Sequence, residues 1–118
     1  MIKRSNRYIE FSLIKKSLRE RFGLHELGPE FEEILEHVAV KNYKQFRLSV
    51  KDLMNVRSLG SPAAIHARLK VLRDYGWIKL EDTSDRRRKQ VVLSASAMLY
   101  FDRLGSAIHK ISEAKKST

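Results

Sequence analysis

The residues of this sequence that could do chemistry are cations, and they gather in one place. Arg86, Arg87, Arg88 and Lys89 are four consecutive positive charges directly after Asp85. They sit in a polar, turn-rich stretch, 82–89, between two short β-prone runs at 77–81 and 90–93. That pattern predicts a β-hairpin, the wing at about 77–93, with a basic tip too long for a two-residue turn. Arginine on a projecting tip suits polyanions, and fits a narrow minor groove where the negative potential is enhanced. Asp85 lies two residues before Arg87, where a carboxylate can pair with the guanidinium and fix the shape of the loop.

A second constellation lies just upstream. Ser61-Pro62 is a helix start, a capping hydroxyl followed by proline at the first helical position. It predicts a helix at about 61–75, closed by Gly76. With Ile65 taken as inward, an advance of about 100° per residue turns Ala63, Ala67, Lys70 and Asp74 outward. His66 and Arg73 fall on one flank and Arg68 on the other. Ala63 and Ala67 are small enough for close approach to base edges, alanine can touch a thymine methyl, and His66 can hydrogen-bond a base. Ser61, Pro62 and the free N–H groups of the first turn suit a phosphate. Lys70 and Arg73 also suit phosphates. The candidate nucleic-acid-binding residues are thus Ser61, Pro62, Ala63, His66, Ala67, Lys70, Arg73 and the run Arg86, Arg87, Arg88 and Lys89.

Other chemistries lack their residues. His25, His37, His66 and His109 have no metal-ligand spacing, and there is no Walker loop, GxGxxG or nucleophile elbow. The neighbouring carboxylates Glu32 and Glu33 read as a solvated helix start rather than a catalytic pair. The sequence offers no support for an enzyme, a metal or a cofactor. It contains no cysteine, which excludes disulfides and thiolate sites, and no apolar run long enough to span a bilayer. Its basic N-terminus is not followed by an apolar signal core, so a cytoplasmic location is expected.

The elements that must position these residues follow from periodicity. In 118 residues with 42% hydrophobic content and a net charge of +10, one domain with a real core is expected, along with a polyanionic partner. Phe11, Ile14, Leu18 and Phe22 give the apolar stripe of a first helix at about 8–22, stopped by Gly23. Residues 24–28 read as a linker. Pro29 opens a second helix with Phe31, Ile34, Leu35 and Val38 on one face. Five of the 14 acidic residues fall between Glu26 and Glu36, which concentrates the positive charge elsewhere. Ser49, with Asp52 three residues on, suggests a capping box and a short helix bearing Val50, Leu53 and Met54, broken at Leu59-Gly60. The helix-turn-helix thus spans about 49–76. Ser94 caps a last helix at about 94–112, on which Ala97, Phe101, Leu104, Ile108 and Ile111 form a heptad-like seam. Packing within the chain and dimerisation explain that seam equally well. The fold class is mostly α with a small β-hairpin: a winged helix-turn-helix between terminal helices.

From Leu48 to Ser94 the sequence resembles the winged helix-turn-helix of the MarR family. The matching pieces are Ser49-Val50-Lys51-Asp52-Leu53, Leu69-Lys70-Val71-Leu72, Gly76-Trp77-Ile78 and Asp85-Arg86-Arg87, continuing into Gln90-Val91-Val92-Leu93-Ser94. The resemblance implies a transcriptional regulator that binds double-stranded DNA. In it, Asp85 structures the wing and Arg87 is its DNA-contacting arginine. It also implies a homodimer built from the terminal helices, with Phe11, Ile14, Leu18, Phe101, Leu104, Ile108 and Ile111 as candidate contacts, and often a small-molecule effector pocket. Ala67 stands where many members carry arginine. The alternative is a protein-interaction module that keeps the scaffold and uses the surface around Phe11 or Phe101.

Overall fold

The structure, a computed structural model, describes residues 2–3, 5–85 and 88–116, with side chains inside the last helix described as far as Glu113. The element order is α1 (Arg7–Arg21), a 3-10 turn (Leu24–Glu26), α2 (Pro29–Tyr43), α3 (Val50–Met54), a second 3-10 turn (Arg57–Leu59), α4 (Pro62–Asp74), β1 (Ile78–Asp82), β2 (Lys89–Leu93) and α5 (Ala95–Lys116). The mostly helical class with one hairpin is as expected. No described helix is long and apolar enough to cross a membrane. The chain divides into two compact units, Leu27–Ala97 and the pair Met1–Glu26 with Met98–Thr118.

The unit Leu27–Ala97 is built around Ile34, Leu35 and Val38 of α2, Leu53 of α3, Ile65, Leu69 and Leu72 of α4, and Ile78, Val91 and Leu93 of the hairpin, all buried. The buried residues of α2, α3 and α4 lie on the stripes that the periodicity predicts, though Phe31, Val50 and Met54 of those stripes are only half-buried. The capping box of α3 is complete: Asp52 N–H donates to Ser49 Oγ at 3.0 Å, and Ser49 N–H donates to Asp52 Oδ2 at 2.9 Å. α3 nevertheless ends at Met54, well before Leu59-Gly60, because the chain tightens into the second 3-10 turn. Gly60 closes that turn at φ 128°, ψ −171°, a region essentially restricted to glycine.

α4 begins as expected, with Ala64 N–H donating to Ser61 Oγ at 3.2 Å and Pro62 in the first turn. It stops by a Schellman motif: Gly76, at φ 78°, donates to the Arg73 carbonyl, and Trp77 N–H donates to that of Leu72, which satisfies two otherwise unpaired carbonyls. The antiparallel register sets Ile78 opposite Leu93, Leu80 opposite Val91 and Asp82 opposite Lys89. Strand alternation then sends Ile78, Val91 and Leu93 to the core and Lys79 outward.

In the second unit, Asn6 caps α1 by accepting the Ile9 N–H at 2.9 Å, and Gly23 follows its end at φ 78°. The segment after Gly23 is not a plain linker. Its 3-10 turn carries the buried Leu24, and Leu27, the first residue of the other unit, is buried as well. Apolar residues in a connection gain more from burial than from a solvated path. α5 departs from the expected seam: Tyr100 and Ala107 are buried with Ala97, whereas Ile108 is 54% exposed. On a helix of about 3.6 residues per turn, 97, 100, 104, 107 and 111 share one narrow stripe, with Phe101 and Ile108 on its flank. The rings of Phe22 and Tyr100 meet edge-on at 5.5 Å, as do those of Tyr100 and Phe101 at 5.3 Å.

Candidate nucleic-acid interface

All the described candidate residues belong to the unit Leu27–Ala97. Burial of Ile65, Leu69 and Leu72 fixes the rotation of α4, and Ala63, His66, Ala67, Lys70, Arg73 and Asp74 are consequently exposed, as are Ser61 and Pro62 at its start. Arg68 is only half exposed. Its guanidinium turns back and donates to the Leu59 carbonyl at 3.3 Å. A β-carbon on Gly60 would lie 3.0 Å from that Nη1, so glycine leaves the room that Arg68 occupies. This arginine braces the turn between the two helices.

The hairpin loop is tied at its base and within itself. The Lys89 ammonium pairs with the Asp82 carboxylate directly across the strands. The Thr83 hydroxyl lies 2.8 Å from the Asp85 carbonyl and 2.9 Å from that of Arg88, and Arg88 N–H donates to the Asp85 carbonyl at 2.9 Å. The Asp85 backbone carbonyl is thus a bonding partner inside the loop. Arg86 and Arg87 lie outside the described residues, and so does the expected pairing of the Asp85 carboxylate with Arg87. Lys89 is a strand residue rather than a loop residue, and it is paired with Asp82. Arg88 is exposed and free of such pairing among the described residues.

Two further cations enter the site that the sequence reading did not include. Arg47 and Lys51 line one groove with Arg88, between the start of α3 and the hairpin loop, and Asp52 and Asp85 also line it. Lys51 stands inside a motif read for its capping pattern alone. Arg47 precedes any recognisable helix start, so only its charge could have marked it.

The hairpin is also held from its outer side. Asn42, in the last turn of α2, donates from Nδ2 to the Val91 carbonyl at 3.2 Å and accepts the Leu93 N–H on Oδ1 at 2.9 Å. Val91 N–H donates to the Leu48 carbonyl at 2.7 Å. Ser94 donates to the Gly76 carbonyl at 2.6 Å and accepts from Ala97 N–H at 3.1 Å, joining the end of α4 to the start of α5. The resulting surface offers a helix face of small and hydrogen-bonding side chains, a basic loop beside it, and cations on the flank. Side chains of these types suit base edges and phosphates.

No protein-family model and no curated protein matches the sequence. Solved structures do. The chain is similar to MepR of S. aureus in a DNA complex, at 16% identity and TM-score 0.63, over 86% of this chain and 72% of that one. It is similar to S. aureus MepR bound to ethidium bromide, at 17% identity and TM-score 0.63, over 98% and 82%. It is also similar to the transcriptional regulator Tm0710 of Thermotoga maritima, at 16% identity and TM-score 0.60, over 89% and 71%. The fold is a winged helix-turn-helix. In it α3 and α4 form the consecutive helix pair, and β1 and β2 form the hairpin that follows.

Proposed function

We propose that this protein is a MarR-like transcriptional regulator that binds double-stranded DNA sequence-specifically, as a homodimer in the cytoplasm. The observation that carries this reading is the exposed face of α4, with Ala63, His66, Ala67 and Lys70 in one row beside a basic wing. α4 enters the major groove; His66, Ala63 and Ala67 tune base choice, while Ser61, Pro62, Lys70 and Arg73 meet phosphates. The wing, with Arg86, Arg87 and Arg88, reaches the flanking minor groove. Arg47 and Lys51 extend the phosphate contacts on the wing's side. Two recognition helices then read half-sites about 34 Å apart. MepR solved with DNA and with ethidium, and the regulator Tm0710, support the assignment through their shared fold.

Dimerisation rests on the unit of terminal segments. Ile9 and Leu13 of α1 and Met98 and Ile108 of α5 are exposed large apolar residues, as is Ile14 at 37%. Of the other candidate contacts, Phe11, Phe101, Leu104 and Ile111 are half-buried, and Leu18 is buried within its own chain. α1 thus carries apolar residues on opposite sides, as suits a helix covered twice.

The test compares a duplex selected from a random pool with a scrambled duplex of equal length, at several salt concentrations. Expected are tighter binding of the selected duplex and a steep fall in affinity with salt. Equal affinity for the two would end the sequence-specific reading. Arg87→Ala is expected to weaken binding and to flatten the salt slope by about 1. An unchanged slope would remove that arginine from the interface.

A further inference from the structure

Among the described residues the wing is a two-stranded ribbon, and an isolated ribbon is marginal in water. Something must hold it. On one side β2 pairs with β1. On the other, its edge groups meet no strand but a side chain and one carbonyl: Asn42 takes both the Val91 carbonyl and the Leu93 N–H, and Leu48 takes the Val91 N–H. A parallel neighbour strand engages the carbonyl of one residue and the N–H two residues on. The Asn42 carboxamide supplies that pair of bonds from a helix, 51 residues away in sequence from Leu93.

The end of α2 is built to present both groups. Gln45 adopts a left-handed φ of 59°, a conformation that disfavours a residue with a β-carbon. Its N–H donates to the Asn42 carbonyl and Phe46 N–H donates to that of Lys41, which completes a Schellman stop. The Lys41 ammonium sits 4.7 Å from the centre of the Phe46 ring, closing the motif with a cation–π contact. This abrupt stop turns the chain so that Leu48 reaches β2 only six residues after Asn42. Asparagine is a poor helix former, and at this half-buried position its worth lies in the carboxamide.

We propose that Asn42 is the positioning residue of the wing, setting where the basic loop stands relative to the recognition helix and so controlling the wing's share of DNA binding. This rests on the reading of the hairpin as a DNA-contacting wing. Asn42 touches no DNA; it acts through β2. In its absence the wing keeps its own ladder and its Asp82–Lys89 pair, but loses two of the three bonds that fix its outer edge.

The experiment combines hydrogen exchange with a double-mutant cycle. In Asn42→Ala the Leu93 amide is expected to exchange on the order of tenfold faster, relative to the Leu69 amide of α4, as two links are lost. The relative rate separates local release of the wing from global unfolding. Asn42→Asp keeps the acceptor for Leu93 N–H but sets a carboxylate against the Val91 carbonyl, and should fall between native and alanine. In the second arm Arg86, Arg87 and Arg88 are all changed to alanine, and affinity for a labelled duplex selected from a random pool is measured with and without Asn42→Ala. The neutral wing should cost markedly less affinity in the Asn42→Ala background than in the native one. Unchanged relative exchange at Leu93, or equal costs in the two backgrounds, would overturn the proposal. If the neutral wing costs nothing in the native chain, the wing's role in DNA binding fails and control of that role by Asn42 fails with it. An accelerated Leu93 exchange in that case identifies the wing, and not the anchor, as the failed premise.

Discussion

His37 shows how a single residue reports on its surroundings. It lies half-buried on α2, one turn before Lys41, and its pKa is lowered from the ordinary 6.5, first by burial and then by the Lys41 charge. Both causes disfavour the imidazolium. Lys41 is kept close because its ammonium rests on Phe46. The folded chain therefore binds this proton less readily than the unfolded chain, and stability rises with pH across the titration. The contribution is complete above pH 6.5 and is lost as the pH falls below it. Urea midpoints measured across this range should decline toward acid, and His37→Gln should flatten the decline; an equally steep decline in that variant would assign the proton elsewhere. At the same scale Arg68 divides from its neighbours on α4. Helical geometry alone set it on a flank, but its bond to the Leu59 carbonyl makes it part of the turn.

Among the elements, α3 depends most on local devices. It has five residues, fewer than a helix needs to stand on its own, and it owes its start to the reciprocal bonds of Ser49 and Asp52. Ser49→Ala should cost about 1 kcal/mol of stability, read as a lowered midpoint in thermal denaturation followed by circular dichroism. No change would show that burial of Leu53 alone holds the helix. This box was legible in sequence because its two partners are three residues apart. So were the start of α4 at Ser61-Pro62, its stop at Gly76, and the core stripes of α2 and α4, for each is written in neighbouring residues. What joins distant segments was not. The Asn42 bonds to β2 leave no local mark, and neither does the groove that brings Arg47 and Lys51 to the wing. On α5 the heptad spacing was real, but alternating steps of three and four fit two adjacent stripes. Only packing against Phe22 selects the one through Tyr100. The Asp85-Arg86-Arg87 motif, which by resemblance marks Arg87 as the wing arginine, falls partly outside the described residues.

At the scale of the whole molecule, charge and apolar surface divide the labour. The net charge of +10 favours a polyanionic partner, and the acidic residues gathered on α2 leave the positive charge concentrated elsewhere. Exposed Leu13 and Ile108, 65% and 54% accessible, are the counterpart at the termini, where a second copy is proposed to sit. Light scattering of the native protein should give the mass of two 13.8 kDa chains. Leu13→Glu combined with Ile108→Glu should shift it toward one chain and weaken binding to a two-half-site duplex, since two linked sites bind more tightly than one. A native mass of a single chain would refute the dimer.

The outer edge of β1 has a consequence of its own. Among the described residues the sheet has two strands, and only β2 has its free side covered. Among the described residues the backbone of β1 bonds to β2 alone, and a strand edge without a second partner is a template onto which a stray strand could dock. Lys79 and Glu81, paired at 3.3 Å, stand along that strand with Asp82 after them. Charges of this kind discourage edge-to-edge pairing. Such residues act as gatekeepers against aggregation, and they would let a ribbon proposed to project toward DNA stay exposed without becoming sticky.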